Sequence, residues 1–170
     1  MKKLLALAVV ILGFTAVSFG QTVGVTKTAT ASATIIGPIS LTKTADMNFG
    51  NVAVTATAGT VVLVPAGTRT PTGGVSLPVV AGTVSAATFT VGGEGTSTYA
   101  ITLPTTDHII KSGTTNQMIV NAFTSNPSGT GKLTAGSQTI QIGATLNVTG
   151  GQATGTYTSV TPFDVTVNYN

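Results

Sequence analysis

Ile140-Gln141-Ile142-Gly143-Ala144-Thr145-Leu146-Asn147-Val148 alternates apolar even positions with small or polar odd ones, without a fault. A period of two sends Ile140, Ile142, Ala144, Leu146 and Val148 to one face of a strand and leaves the other face to water. The same period recurs on both sides of this stretch. Upstream, Ala87, Phe89 and Val91 alternate into Gly92-Gly93-Glu94-Gly95, and Tyr99, Ile101 and Leu103 resume after it. Two alternating runs around a Gly-rich turn predict a hairpin over residues 86–104. Downstream, Tyr157, Phe163, Val165, Val167 and Tyr169 share one phase. The stretch Phe163, Val165, Val167, Tyr169 reads as a C-terminal strand.

Shorter signals complete the pattern. Ile39 to Thr42, Asn48 to Val54, Gly59 to Val64, His108 to Lys111 and Met118 to Ala122 each fit a strand. Residues 66–83 are rich in Gly, Pro and Thr and read as a long connection with one short strand near Val75–Leu77. Val23, Val25, Lys27, Ala29, Ala31, Ala33 and Ile35 occupy every second position against Thr, Gly and Ser, which predicts a half-buried strand early in the chain. No window of ten residues beyond the first twenty shows a helical period. Roughly nine strands separated by turns predict an all-β fold, an antiparallel sandwich or barrel. Six aromatics (Phe49, Phe89, Tyr99, Tyr157, Phe163 and Tyr169) fall in phase with aliphatic neighbours and are expected in the core.

Met1-Lys2-Lys3, an apolar run from Leu4 to Val17, and Ser18-Phe19-Gly20 form the three regions of a secretory signal peptide. Cleavage is expected between Gly20 and Gln21, leaving 21–170 as a single domain with 21–27 as an N-terminal extension. The apolar run falls short of the roughly 20 residues a helical span needs, so no membrane span is expected in the mature chain. The whole sequence has 170 residues and a formal charge of +3. Removal of Lys2 and Lys3 leaves Lys27, Lys43, Arg69, Lys111 and Lys132 against Asp46, Glu94, Asp107 and Asp164, or 5 − 4 = +1. Five scattered cations cannot displace a phosphate backbone's counterions, so nucleic acid is not an expected partner.

Chemistry is scarce. The chain has 4 Asp+Glu, 1 His and 0 Cys, while Thr supplies about a fifth of it. That excludes disulfide frames and zinc-thiolate sites, and no cofactor, metal or catalytic group is expected. Ser125 to Leu133 resembles a phosphate-binding loop only superficially, because Asn126 and Leu133 stand where Gly and Ser or Thr are required. His108 follows Asp107, but neighbours along a strand point to opposite faces, so this Asp cannot orient this His. The carboxylates show no local pairing of the kind glycosidases use. Asn147-Val148-Thr149 is a glycosylation sequon inside a strong strand and is taken as incidental.

Ala29 through Ile35-Ile36-Gly37-Pro38-Ile39-Ser40-Leu41, then Asp46-Met47-Asn48-Phe49-Gly50-Asn51-Val52, resembles the secreted bacterial domain-of-unknown-function family 4402. The likeness continues at Ala87 to Gly92, Ile142 to Leu146, Gly155-Thr156-Tyr157 and Phe163 to Tyr169. The layout is also similar to spore-coat-U-type and archaic chaperone–usher pilins. That resemblance implies an immunoglobulin-like sandwich, exported to the periplasm or cell surface of a bacterium. It also implies assembly by β-strand addition, in which one subunit supplies a strand that another lacks. Val23, Val25, Ala29, Ala31, Ala33 and Ile35 are the candidate donated strand, with further copies of the chain or a surface partner as acceptor. The expected function is a non-enzymatic structural protein, pilin-like or matrix-like. The alternatives weighed are a carbohydrate- or surface-binding adhesion module using Tyr99 or Tyr157, and a small outer-membrane barrel.

Overall fold

The computed structural model describes residues 24–170. The expected leader, the Gly20–Gln21 junction and Val23 lie outside the described residues. The chain divides at Thr34/Ile35 into two units. In the first, residues 24–34 carry no strand and every side chain is exposed. The early strand expected over 23–35 is therefore not formed within the chain. The physical reason lies in the side chains, since after Lys27 the in-phase positions are Ala29, Ala31 and Ala33. These bury too little apolar area to hold a strand against a sheet without further help.

The second unit is all-β. Its elements are β1 (Ser40–Ala45), β2 (Asn48–Phe49), β3 (Ala53–Leu63), β4 (Arg69–Ser76), β5 (Val84–Ser85), β6 (Ala87–Gly92) and β7 (Thr98–Thr102). Then follow β8 (His108–Ser112), β9 (Asn116–Asn126), β10 (Thr130–Lys132), β11 (Ser137–Val148), β12 (Thr158–Ser159) and β13 (Thr166–Tyr169). Four of these 13 have only two or three residues, which leaves 13 − 4 = 9 of ordinary length. The fold is sandwich-like, with every strand pair antiparallel. The large sheet runs β1-β6-β11-β9-β8-β12, with β3 and β4 attached through β11. A smaller sheet, β10-β7-β13, and the pair β2-β5 complete it.

β11 is the axis of the fold. One of its sides carries β6 along Ser137–Ile142 and then β3 along Ala144–Val148, while β9 lies on the other. The seam between β6 and β3 falls at Gly143, where an added Cβ would stand 2.1 Å from the Leu63 carbonyl oxygen. Only glycine admits that approach. The alternation read from the sequence matches the burial, because Ile140, Ile142, Ala144, Leu146 and Val148 are all buried.

Two expected elements differ. Residues 86–104 do not form a hairpin, since β6 pairs β1 and β11 whereas β7 pairs β10 and β13. Gly93–Ser97 instead carries the chain from one sheet to the other. Phe89, Val91, Tyr99 and Ile101 meet across the core from the two sheets. Alternation is identical for strands beside each other and strands facing each other. The second difference is β4, an eight-residue strand where a mostly irregular connection was expected. β4 pairs only with β3, so Pro71 withholds no donor from a second neighbour. Gly73 and Gly74 let its backbone press against Thr57–Gly59.

Two apolar clusters lie along β11. The first joins Phe89, Val91, Tyr99, Ile101, Leu133, Ile140, Ile142 and Val167 and is covered by the small sheet. The second joins Val61, Val75, Val120, Ala144, Leu146 and Val148, and its cover is only partly buried side chains such as Met47, Phe49, Val52 and Val54. One half of the sandwich is closed and the other is not.

Candidate functional site

The uncovered half is a cleft of about 1110 Å³. Its floor is the inner face of the large sheet, with Phe89 from β6, Leu146 and Val148 from β11, Met118 and Val120 from β9, and Ile110 from β8. One rim is Asp46–Val54 and the other runs from Gln152 through Ser159 to Pro162–Phe163. Small-molecule pockets usually hold about 300–1,000 Å³, so this cleft is large for a metabolite. Phe89 pairs with Ile140 across β6 and β11. On β11 the floor is Leu146 and Val148, and on β6 it reaches back to Phe89.

Each rim is held by specific polar contacts. On the first, the Arg69 guanidinium donates to the carbonyls of Phe49 and Asn51, and the Asn51 amide donates to Val80. The Lys43–Asp46 ion pair at the same rim is exposed, which makes it worth little. On the second, Tyr157 donates to Ala153 O at 2.7 Å and accepts from Gln152 Nε2 at 2.8 Å. His108 Nε2 lies 2.9 Å from Ser159 Oγ, and its ring meets Phe163 edge-on at 5.6 Å. Burial lowers the His108 pKa below its ordinary 6.5. Asp107 does not touch this imidazole, because its carboxylate accepts from Asn121 Nδ2.

The C-terminal strand is partly as expected. Val167 is buried and Phe163, Val165 and Tyr169 are half-buried in strict alternation, but ladder pairing covers only Thr166–Tyr169. Residues 163–165 have no sheet partner. Val25, Ala29, Ala31, Ala33 and Ile35 are all exposed, with Ile35 at 97%. Tyr99 is 0% exposed, so it offers no surface to a sugar, while Tyr157 lines the cleft. The Ser125–Leu133 stretch holds the end of β9, a short connection and β10, with no helix after it. Asn147 is engaged through its side-chain amide with Ile119 O and Asn121 Oδ1.

The cleft itself had no single signal in the sequence. It arises because Met47–Val54 and Gln152–Phe163, about a hundred residues apart, both stop short of covering β9 and β11. A run such as Met118-Ile119-Val120 marks a strand but not what lies above it.

Residues 39–169 match the family described as "Domain of unknown function (DUF4402)", and the chain belongs to that family. No curated protein and no solved structure matches it.

Proposed function

We propose that this chain is a non-enzymatic structural protein of the bacterial exterior, pilin-like or matrix-like, whose sandwich is completed by an added β-strand. The observation that carries this reading is the half-covered core above β9 and β11. An apolar floor spread over four neighbouring strands, β6, β11, β9 and β8, suits an extended peptide better than a compact ligand. Phe163 at its rim belongs to the unpaired stretch 163–165 that leads into β13. The exposed residues 24–34 alternate as a strand would, with Val25, Ala29, Ala31 and Ala33 in one phase and Ile35 continuing it. Strand addition gains main-chain hydrogen bonds from the edge and specificity from alternate side chains in pockets. Export through the leader at 1–20 belongs to the same reading, as does a location in the periplasm or at the cell surface.

Size-exclusion chromatography and electron microscopy of the chain beginning at Gln21 test it. Oligomers or filaments are expected, and deletion of residues 21–35 should leave monomers. Unchanged assemblies after that deletion would remove strand addition from the account.

A further inference from the structure

The second rim of the cleft is a strap from Gln152 to Phe163 that is lightly tied to the sheet. Its ladder is β12, two residues long, with Thr158 opposite Lys111 and Ser159 opposite Ile110 on β8. The Val160 N–H adds a 3.3 Å bond to Ile109 O, and Gln152 Nε2 donates to Gln117 O at 3.3 Å. The Tyr157 hydroxyl bonds only to Ala153 and Gln152, within the strap itself. Phe163 packs on Phe123 of β9 with ring centroids 5.0 Å apart. The remaining tie is His108, the first residue of β8, which meets Phe163 edge-on and Ser159 through Nε2. Of these groups only the imidazole changes charge between about pH 5 and 8.

Its surroundings offer that charge no partner. On β8 itself, Asp107 and Lys111 alternate to the other face, and the Asp107 carboxylate is taken by Asn121. β9, which pairs His108 with Val120, has no ionisable residue, and neither has β12. Beside Phe163 the nearest acid in sequence is Asp164, which is exposed. Lys43 and Asp46 stand on the opposite rim and pair with each other, the single ion pair among the described residues.

An unpaired charge held away from water is costly, and burial lowers the His108 pKa below its ordinary 6.5. A lifted strap gives the ring back to water and removes that cost. Protons therefore bind the open form more tightly and draw the equilibrium toward it. The Ser159 hydroxyl can donate to a bare Nε2 or accept from a protonated one, so this bond does not oppose the change. We propose that His108 is a proton-operated latch, closed when neutral and released when charged, so that acid opens the cleft along its Gln152–Phe163 rim. The latch governs access to the cleft and not what fills it, and it does not depend on the strand-addition reading.

The chain holds 1 His, so its imidazole signals need no assignment. An NMR titration of the chain beginning at Gln21 gives the His108 midpoint. Amide hydrogen exchange, corrected for the intrinsic effect of pH, follows residues 157–160 from pH 8 to pH 4.5. For every pH unit by which the midpoint lies below 6.5, protection of these amides should fall about tenfold on acidification. They should exchange faster than the amides of Ile140–Val148 throughout, which marks opening without unfolding. His108→Gln should abolish the pH dependence, and His108→Phe serves if that variant does not fold. A midpoint above 6.5, as a cation–π contact with Phe163 would produce, would overturn the latch. So would rim amides no faster than those of β11, or an acid response that both variants retain. Oligomer size in the same samples reads strand addition separately.

Discussion

The Tyr99 hydroxyl on the small sheet donates at 2.7 Å to Gln138 Oε1 on the large one, and that oxygen also accepts the Lys132 N–H at 2.8 Å. A side chain thus ties both sheets and the β10 edge at one point. Tyr99 is fully buried, which raises its pKa above the usual 10.0. Its ring leaves no space at Gly131, where a Cβ would stand 2.2 Å from Cζ. Tyr99→Phe should cost about 1 kcal/mol, because Gln138 keeps one of its two donors. Gly131→Ala should cost more, about 1–3 kcal/mol, through overpacking. Urea unfolding curves measure both, and equal costs would contradict this order.

His108 predicts a pH dependence. Its pKa is lowered by burial, so below 6.5 the unfolded chain binds a proton that the folded chain resists. Stability should therefore be level above about pH 7, fall as pH drops through the ordinary histidine value, and level off below the folded pKa. His108→Asn should remove this portion of the pH profile. Thermal melts between pH 4 and pH 8 compare the two proteins.

The proposed strand addition predicts that substitutions in the cleft separate stability from assembly. Leu146 is buried, so Leu146→Ala should destabilise the isolated domain by about 2–5 kcal/mol. Met118 is only half-buried on the same floor, and Met118→Ala should cost about 1 kcal/mol or less before a strand is added. Met118→Asp should leave a folded monomer and abolish oligomers. Circular dichroism melts and light scattering on the same samples check the contrast.

Two alanines occupy positive φ. Ala135 and Gly136, at φ of 49° and 80°, form the two-residue turn between Thr134 and Ser137. Both values belong to the turn type that prefers Asn-Gly, so Ala135→Asn should add about 0.5–1 kcal/mol. Ala122, also at φ 49°, lies where β9 slips register against β11. A β-branched residue is worse there, and Ala122→Val should cost about 1–2 kcal/mol. Denaturant midpoints decide the two signs.

Most of the fold was legible because alternation survives wherever one face is buried. Ile140 to Val148 and Phe163 to Tyr169 show it most clearly. Pairing was less legible, because Phe89 and Tyr99 keep the same phase whether their strands lie side by side or face to face. β4 was obscured by Pro71, Gly73 and Gly74, which suit an edge strand as well as they suit a loop. For residues 23–35 the period was visible, but Ala29, Ala31 and Ala33 gave it no weight of buried area. The cleft was illegible for a different reason, since it is defined by what two distant segments do not cover.

The seam at Gly143 has a mechanical consequence. Because β6 and β3 meet end to end on one side of β11, a single strand serves two half-cores that differ in completeness. Ser137–Ile142 sits in the closed half and Ala144–Val148 in the open one. On the proposed strand addition, the first half would act as an anchor while the second adjusts its packing to the added strand. Load applied to such a strand would enter the domain at its softer end and be borne by the stiffer one. The domain would then behave as a socket with a firm base and a compliant mouth.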